Sequence, residues 1–200
     1  MKKDINNLNK ILQALPQLQC KKCTYDDCES YARAVLDQTE TLDKCEPGAQ
    51  VTKIHLQNIF KNIDDSNKAE INKYKIAQIE FDNCIGCTIC VNVCPVDAIV
   101  GAKKQQHYII DDKCNGCELC IQQCPVDCMK MIEHPSNKSW TWPSEQSEAS
   151  KNDYKNKLDR INENKRSREY SKEEGNIKHY LKKAIEIESK RQRNANNYDL

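Results

Sequence analysis

Apolar positions recur at helical spacing along the first sixty residues. Ile5, Leu8, Ile11, Leu12 and Leu15 make one stripe over residues 4–15, predicting a short amphipathic helix, packed on its own domain, that Pro16 ends. Residues 29–38 read as a second helix, and residues 50–60, with Val51, Ile54, His55 and Ile59, as a third. His55 on such a helix is expected as a packing or surface residue rather than a metal ligand. Residues 62–75 are polar without a firm period and read as a linker. Beyond them the period shortens, and residues 76–81, 98–100, 108–110 and 129–132 read as short strands. Trp140, Trp142 and Pro143 form an aromatic patch expected to fold back as a packing clasp, followed by a Ser/Glu linker over residues 144–150. The last fifty residues carry Tyr154, Leu158, Ile161, Tyr180, Leu181, Ala184 and Ile185 among many charges. That pattern predicts weakly amphipathic helices, broken near Gly175, in a solvated or partly disordered extension. No stretch approaches the roughly 18 consecutive apolar residues of a membrane span.

The 200 residues are 38% apolar but include only two Phe and two Trp. One or two modest domains are expected, with part of the folding energy supplied by something other than a large core. The net charge of +1 hides an asymmetry, because residues 151–200 hold fourteen Lys and Arg against nine Asp and Glu and so leave the first 150 residues acidic. A basic tail invites polyanions, but nine acids and no interleaved aromatics argue against nucleic acid. The chain opens Met-Lys-Lys-Asp with no apolar signal segment, which points to the cytoplasm.

Thirteen cysteines change the picture, nine of them between Cys84 and Cys128. Cys84, Cys87, Cys90 and Cys94 are followed by Pro95, and Cys114, Cys117, Cys120 and Cys124 by Pro125, so C-x2-C-x2-C-x3-C-P occurs twice at an offset of thirty residues. A cubane iron–sulfur cluster has to be gripped at several corners by soft thiolates, and a C-x2-C-x2-C loop presents three from one turn. Gly86 and Gly116 inside the loops let backbone N–H groups turn toward the sulfurs. Zinc sets usually come as two separated C-x2-C pairs, and an odd cysteine count without a secretory signal argues against a disulfide framework. The run resembles a bacterial-type dicluster ferredoxin over residues 76–134, which implies a pseudo-twofold domain holding two [4Fe-4S] clusters. In this motif the fourth ligand characteristically comes from the other copy. The first cluster would then take Cys84, Cys87, Cys90 and Cys124, and the second Cys114, Cys117, Cys120 and Cys94. Cys128 is surplus and expected as a buried free thiol in the place that Ala98 holds in the first copy. His107 and Tyr108 fall on the hairpin between the loops, where an aromatic mainly excludes water.

A further set, Cys20, Cys23, Cys28 and Cys45, has the spacing C-x2-C-x4-C-x16-C, which by itself suits either a tetrahedral zinc or a third cluster. The stretch from Leu15-Pro16-Gln-Leu-Gln-Cys20 to Cys45-Glu-Pro47-Gly48, standing ahead of the dicluster run and followed by Ser139-Trp-Thr-Trp142, is similar to RnfB, a component of the Rnf/Rsx electron transport complex. That resemblance covers residues 10–142 and implies a third [4Fe-4S] cluster on these four cysteines. Two features depart from the family. Its Gly-rich first loop carries Lys21, Lys22, Thr24, Asp26 and Asp27 here, and its membrane-spanning first helix has no counterpart, so a stand-alone soluble relative is expected.

The expected fold is α+β. An N-terminal helix (1–15), a small helical 4Fe-4S domain (16–61) and a linker (62–75) precede the ferredoxin-like domain (76–134), and a linker with a charged tail follows (135–200). No nucleophile–base pair, phosphate loop or paired-carboxylate site is present, so side-chain catalysis is not expected. The expected activity is relay of single electrons between redox protein partners, with an acidic body steering the docking. The alternatives are a component of an Rnf/Rsx-type membrane complex, associated peripherally, and a purely structural use of the clusters to staple a binding tail.

Overall fold

The computed structural model describes residues 2–63 and 68–196. Met1–Lys157 make one compact unit and Leu158–Leu200 a second. The first unit begins with three helices, α1 (Lys2–Gln13), α2 (Cys28–Leu36) and α3 (Ala49–Phe60). Ile11, Leu12 and Leu15 bury themselves against Tyr31, Ala32 and Val35 of α2 and Leu56 of α3. Each such aliphatic side chain contributes about 1.5–3 kcal/mol by leaving water. The side chain of Ile5, expected on the same stripe, lies outside the described residues. Asp27 starts α2 by accepting the Ser30 N–H at 2.7 Å. The helix stops where Gln38 takes a left-handed φ of 56° and the Thr39 N–H returns to the Ala34 carbonyl at 3.0 Å. His55 is buried on α3.

Six short strands follow: β1 (Ala69–Ile71), β2 (Lys75–Ile79), β3 (Ile99–Val100), β4 (Tyr108–Ile109), β5 (Met129–Glu133) and β6 (Trp140–Trp142). They pair antiparallel as β1–β6, β2–β5 and β3–β4. In the longest ladder Ile76 faces Ile132 and Ile79 faces Met129. Between the strands sit α4 (Ile89–Val93) and α5 (Leu119–Gln122), each entered through a left-handed residue, Thr88 and Glu118, both at φ 66°. The 3₁₀ turns Phe81–Asn83 and Asp111–Lys113 precede them. Turns, left-handed entries and helix starts all recur thirty residues on, at the offset of the cysteine runs.

Three stretches differ from the expectation. Within residues 62–75, 64–67 lie outside the described residues, while Ala69–Ile71 form β1 and pair with β6, Ala69 facing Trp142 and Ile71 facing Trp140. That pairing makes Trp140 and Trp142 the clasp: both are buried, and their indole N–H groups donate to the carbonyls of Pro16 at 2.8 Å and Ala14 at 3.0 Å. The segment 144–150 is not a linker but the start of α6 (Glu145–Asn196). Ser144 Oγ accepts the Ser147 N–H at 3.1 Å and Ser147 Oγ accepts the Ser144 N–H at 3.0 Å, a reciprocal cap. Finally, α6 runs through Gly175 without a break. A glycine there costs about 1 kcal/mol against alanine, too little to end a long helix supported by pairs such as Lys178–Glu174 at 2.8 Å.

Candidate metal centres

Eight of the twelve cysteines of the two motifs fall into two groups. Cys20, Cys23, Cys28 and Cys45 line one small cavity walled by Leu15, Leu18 and Tyr31. Cys94, Cys114, Cys117 and Cys120 line a second, with Ala77, Ile99 and Met131. Besides burial, Cys87, Cys84 and Cys124 act electrostatically on Cys90 and help to hold its thiol above the usual range. The second cavity therefore mixes three thiols of one run with Cys94 of the other. His107 is buried with Nδ1 3.4 Å from Cys90 Sγ and 3.9 Å from Cys84 Sγ, which is more specific than the water exclusion expected of it; Tyr108 is half exposed. Cys128 is buried, its Sγ 3.4 Å from Cys124 Sγ, and none of the thirteen cysteines forms a disulfide. Among the described residues no three His, Cys, Asp or Glu side chains converge where a single ion would sit; eight of the thiols line two small cavities instead.

This arrangement fits an iron–sulfur cluster in donor chemistry, in shape and in electrostatics. The donors are soft thiols on short loops, the set that iron–sulfur clusters take. Gly86 and Gly116 have φ of 66° and 72°, and a Cβ on them would stand 2.6 Å from the Gln105 carbonyl oxygen and 2.4 Å from that of Lys75. The loops close only with glycine there. Backbone N–H groups point at the sulfurs, Ala98 to Cys94 Sγ at 3.2 Å and Ala77 to Cys114 Sγ at 3.5 Å. Burial pushes the thiols up, Cys28 and Cys117 well above the usual range, Cys45 and Cys120 to about 12 and Cys90 to about 11. Thiols so desolvated ionise when a cation offsets the charge they acquire. In the first loop Lys21 and Thr24 sit at φ 59° and 71°, so the backbone takes left-handed turns at two residues that carry side chains.

The first and second groups are tied together by contacts that the sequence did not show. Asn115, buried between Cys114 and Gly116, donates to the Leu18 carbonyl at 2.9 Å and to Ser150 Oγ at 3.0 Å, and accepts the Cys117 N–H at 3.3 Å. Lys22, between Cys20 and Cys23, bridges Glu46 at 3.2 Å and Glu118 at 3.1 Å. At the position thirty residues before Asn115 stands Ile85, 59% exposed. The one signal available beforehand was that break in the repeat, Ile-Gly in one loop against Asn-Gly in the other.

Comparison with known proteins agrees with the chemistry. The 4Fe-4S dicluster domain family matches residues 77–131, and an Fe-S cluster family matches residues 15–47. The RnfB protein of the ion-translocating oxidoreductase complex from Alcanivorax borkumensis is 46% identical over 140 residues, 68% of this chain and 72% of the relative. Its namesake from Citrobacter koseri is 43% identical over 143 residues, 68% and 73% of the two chains. That from Hahella chejuensis is 47% identical over 133 residues, 64% and 66% of the two. No helix of the described residues is long and apolar enough to cross a membrane. At this identity and coverage, and with both cysteine-rich segments matched by iron–sulfur families, the chain belongs to the RnfB family of ion-translocating oxidoreductase complex proteins.

Proposed function

We propose that this RnfB-family protein relays single electrons through three [4Fe-4S] clusters set in a row, passing them between redox protein partners in the cytoplasm. Cys20, Cys23, Cys28 and Cys45 would hold one cluster in a helical domain over 16–61. Cys114, Cys117, Cys120 and Cys94 would hold the next, and Cys84, Cys87, Cys90 and Cys124 the last, in a pseudo-twofold ferredoxin-like domain over 76–134. A bound [4Fe-4S] cluster supplies a one-electron couple, tuned by the protein within roughly −700 to +450 mV. The observation carrying this reading is that four thiols line each of two cavities, one of them drawing Cys94 across from the other run.

The surrounding residues suit a relay. Asn115, Lys22 and Glu118 clamp the loop of the first group to that of the second, which supports a row with the Cys114–Cys120 cluster in the middle. Leu15, Tyr31, Ala77 and Met131 keep water from the sulfurs. The loop of Cys84, with Ile85 59% exposed, is the end that a partner reaches. The relatives' name favours a second reading, in which the chain serves as the RnfB component of an ion-translocating oxidoreductase complex and docks on its membrane partners from outside the bilayer. Iron and sulfide analysis with EPR on anaerobically purified, dithionite-reduced protein tests the main reading. About twelve Fe per chain is expected for three cubanes. About eight would remove the cluster on Cys20–Cys45, and a colourless preparation would end the proposal. Recovery with the other components of the complex in the membrane fraction would select the second reading.

A further inference from the structure

The first turns of α6 dock on the cysteine-bearing body by a polar face. Ser150, Asp153, Tyr154 and Lys157 lie at positions i, i+3, i+4 and i+7 of the helix, and each meets a different part of the body. Ser150 Oγ donates to the Gln17 carbonyl at 2.7 Å and accepts from Asn115. Asp153 stands 3.5 Å from Lys113 Nζ, and the Tyr154 hydroxyl 3.4 Å from Asp27, the cap of α2. Lys157 goes deepest. Its side chain is 9% exposed, and its ammonium donates to the Asn92 carbonyl at 2.8 Å and to the Cys94 carbonyl, with Asp97 Oδ1 3.6 Å away. Lysine is almost never this buried unless its charge is used.

We propose that Lys157 is a positioning residue for the cluster that Cys94 serves. Its ammonium fixes the backbone that aims Cys94 at the cavity shared with Cys114, Cys117 and Cys120, and sets a poorly hydrated positive charge beside it. Adding an electron there makes the site more negative, so the nearby cation favours the reduced form and raises the potential, while Asp97 offsets part of the effect. The tail thus contributes to the electron path and not only to solubility. This inference rests on the ligand set proposed above.

The test uses the full chain with its clusters, titrated anaerobically and followed by EPR, in Lys157→Met, Lys157→Arg and Asp97→Asn variants, with Cys94→Ser to mark which signal belongs to the Cys94 cluster. In Lys157→Met the reduced-to-oxidised ratio of that one cluster at fixed poise is expected to fall about tenfold. Lys157→Arg should restore it, and Asp97→Asn should move the same midpoint in the opposite direction. A packing defect would not reverse sign between the two. If Cys94→Ser leaves every signal unchanged, the ligand set is wrong. If it alters one signal whose midpoint is the same in wild type, Lys157→Met and Asp97→Asn, the ligand set stands and the role of Lys157 is overturned. Should Lys157→Met lose iron, Asp97→Asn decides, a raised midpoint supporting the proposal and an unmoved one refuting it.

Discussion

Asn115→Ala isolates the joint between the first and second cysteine groups. The side chain is buried, so its three hydrogen bonds, to Leu18, to Ser150 and from Cys117, are all made out of reach of water. Alanine removes them together. The Ser150 hydroxyl keeps its bond to the Gln17 carbonyl, but the Leu18 carbonyl loses its Asn115 donor and the Cys117 N–H its Asn115 acceptor. Each such buried group costs about 1–3 kcal/mol, so the expected loss is roughly 3 kcal/mol. For a unit of this size that lowers the melting midpoint by about 6–12 °C. The assay is an anaerobic thermal melt of the cluster-loaded protein followed by visible circular dichroism. The control is the equivalent position of the first loop: Ile85 is 59% exposed, and Ile85→Ala should stay within about 0.5 kcal/mol of wild type. Equal losses in the two variants, or an Asn115→Ala midpoint within about 2 °C of wild type, would refute the idea that one loop is an internal joint and the other a free end.

Two further outcomes follow from backbone and domain structure. Thr24 is β-branched and held at φ 71°, a conformation that costs an L-residue about 1–2 kcal/mol. Thr24→Gly should therefore raise the melting midpoint by a few degrees and slow iron loss from the Cys20–Cys45 group, net of about 0.5–1 kcal/mol of glycine entropy. Ending the chain after Lys157, where the first compact unit ends, should leave iron content and melting unchanged. Ending it after Ser144 removes the Ser150, Tyr154 and Lys157 contacts and should lower the midpoint by more than Asn115→Ala alone; dye-free calorimetry on both truncations compares them.

The cysteine runs were legible because their spacing is a local property. Three thiols on one loop, a glycine where the backbone turns left-handed and a proline after the last cysteine all lie within a dozen residues. The helices α1, α2 and α3 were likewise visible as apolar stripes, with ends within a few residues of those expected. The contacts that weld these parts together were not, because they are polar and far apart in sequence. Asn115 looks like any surface asparagine until Leu18 and Ser150 are brought to it. The strand Ala69–Ile71 is three residues in a polar stretch, and only its pairing with Trp140–Trp142 gives it a reason to be extended. Lys157 sits in a segment whose composition reads as solvated tail, since a helix that docks by hydroxyls, a carboxylate and an ammonium leaves no hydrophobic period to find.

The tryptophan clasp also has a bearing on how the protein is made. The carbonyls of Ala14 and Pro16 wait for donors 128 and 124 residues later in the chain. At about 5–20 residues per second of translation, that is roughly 6–25 s on the ribosome with the first helices lacking their lid. Cys20, Cys23 and Cys28 are made early in that interval, so their thiols precede by more than a hundred residues the strand whose indoles close on Ala14 and Pro16.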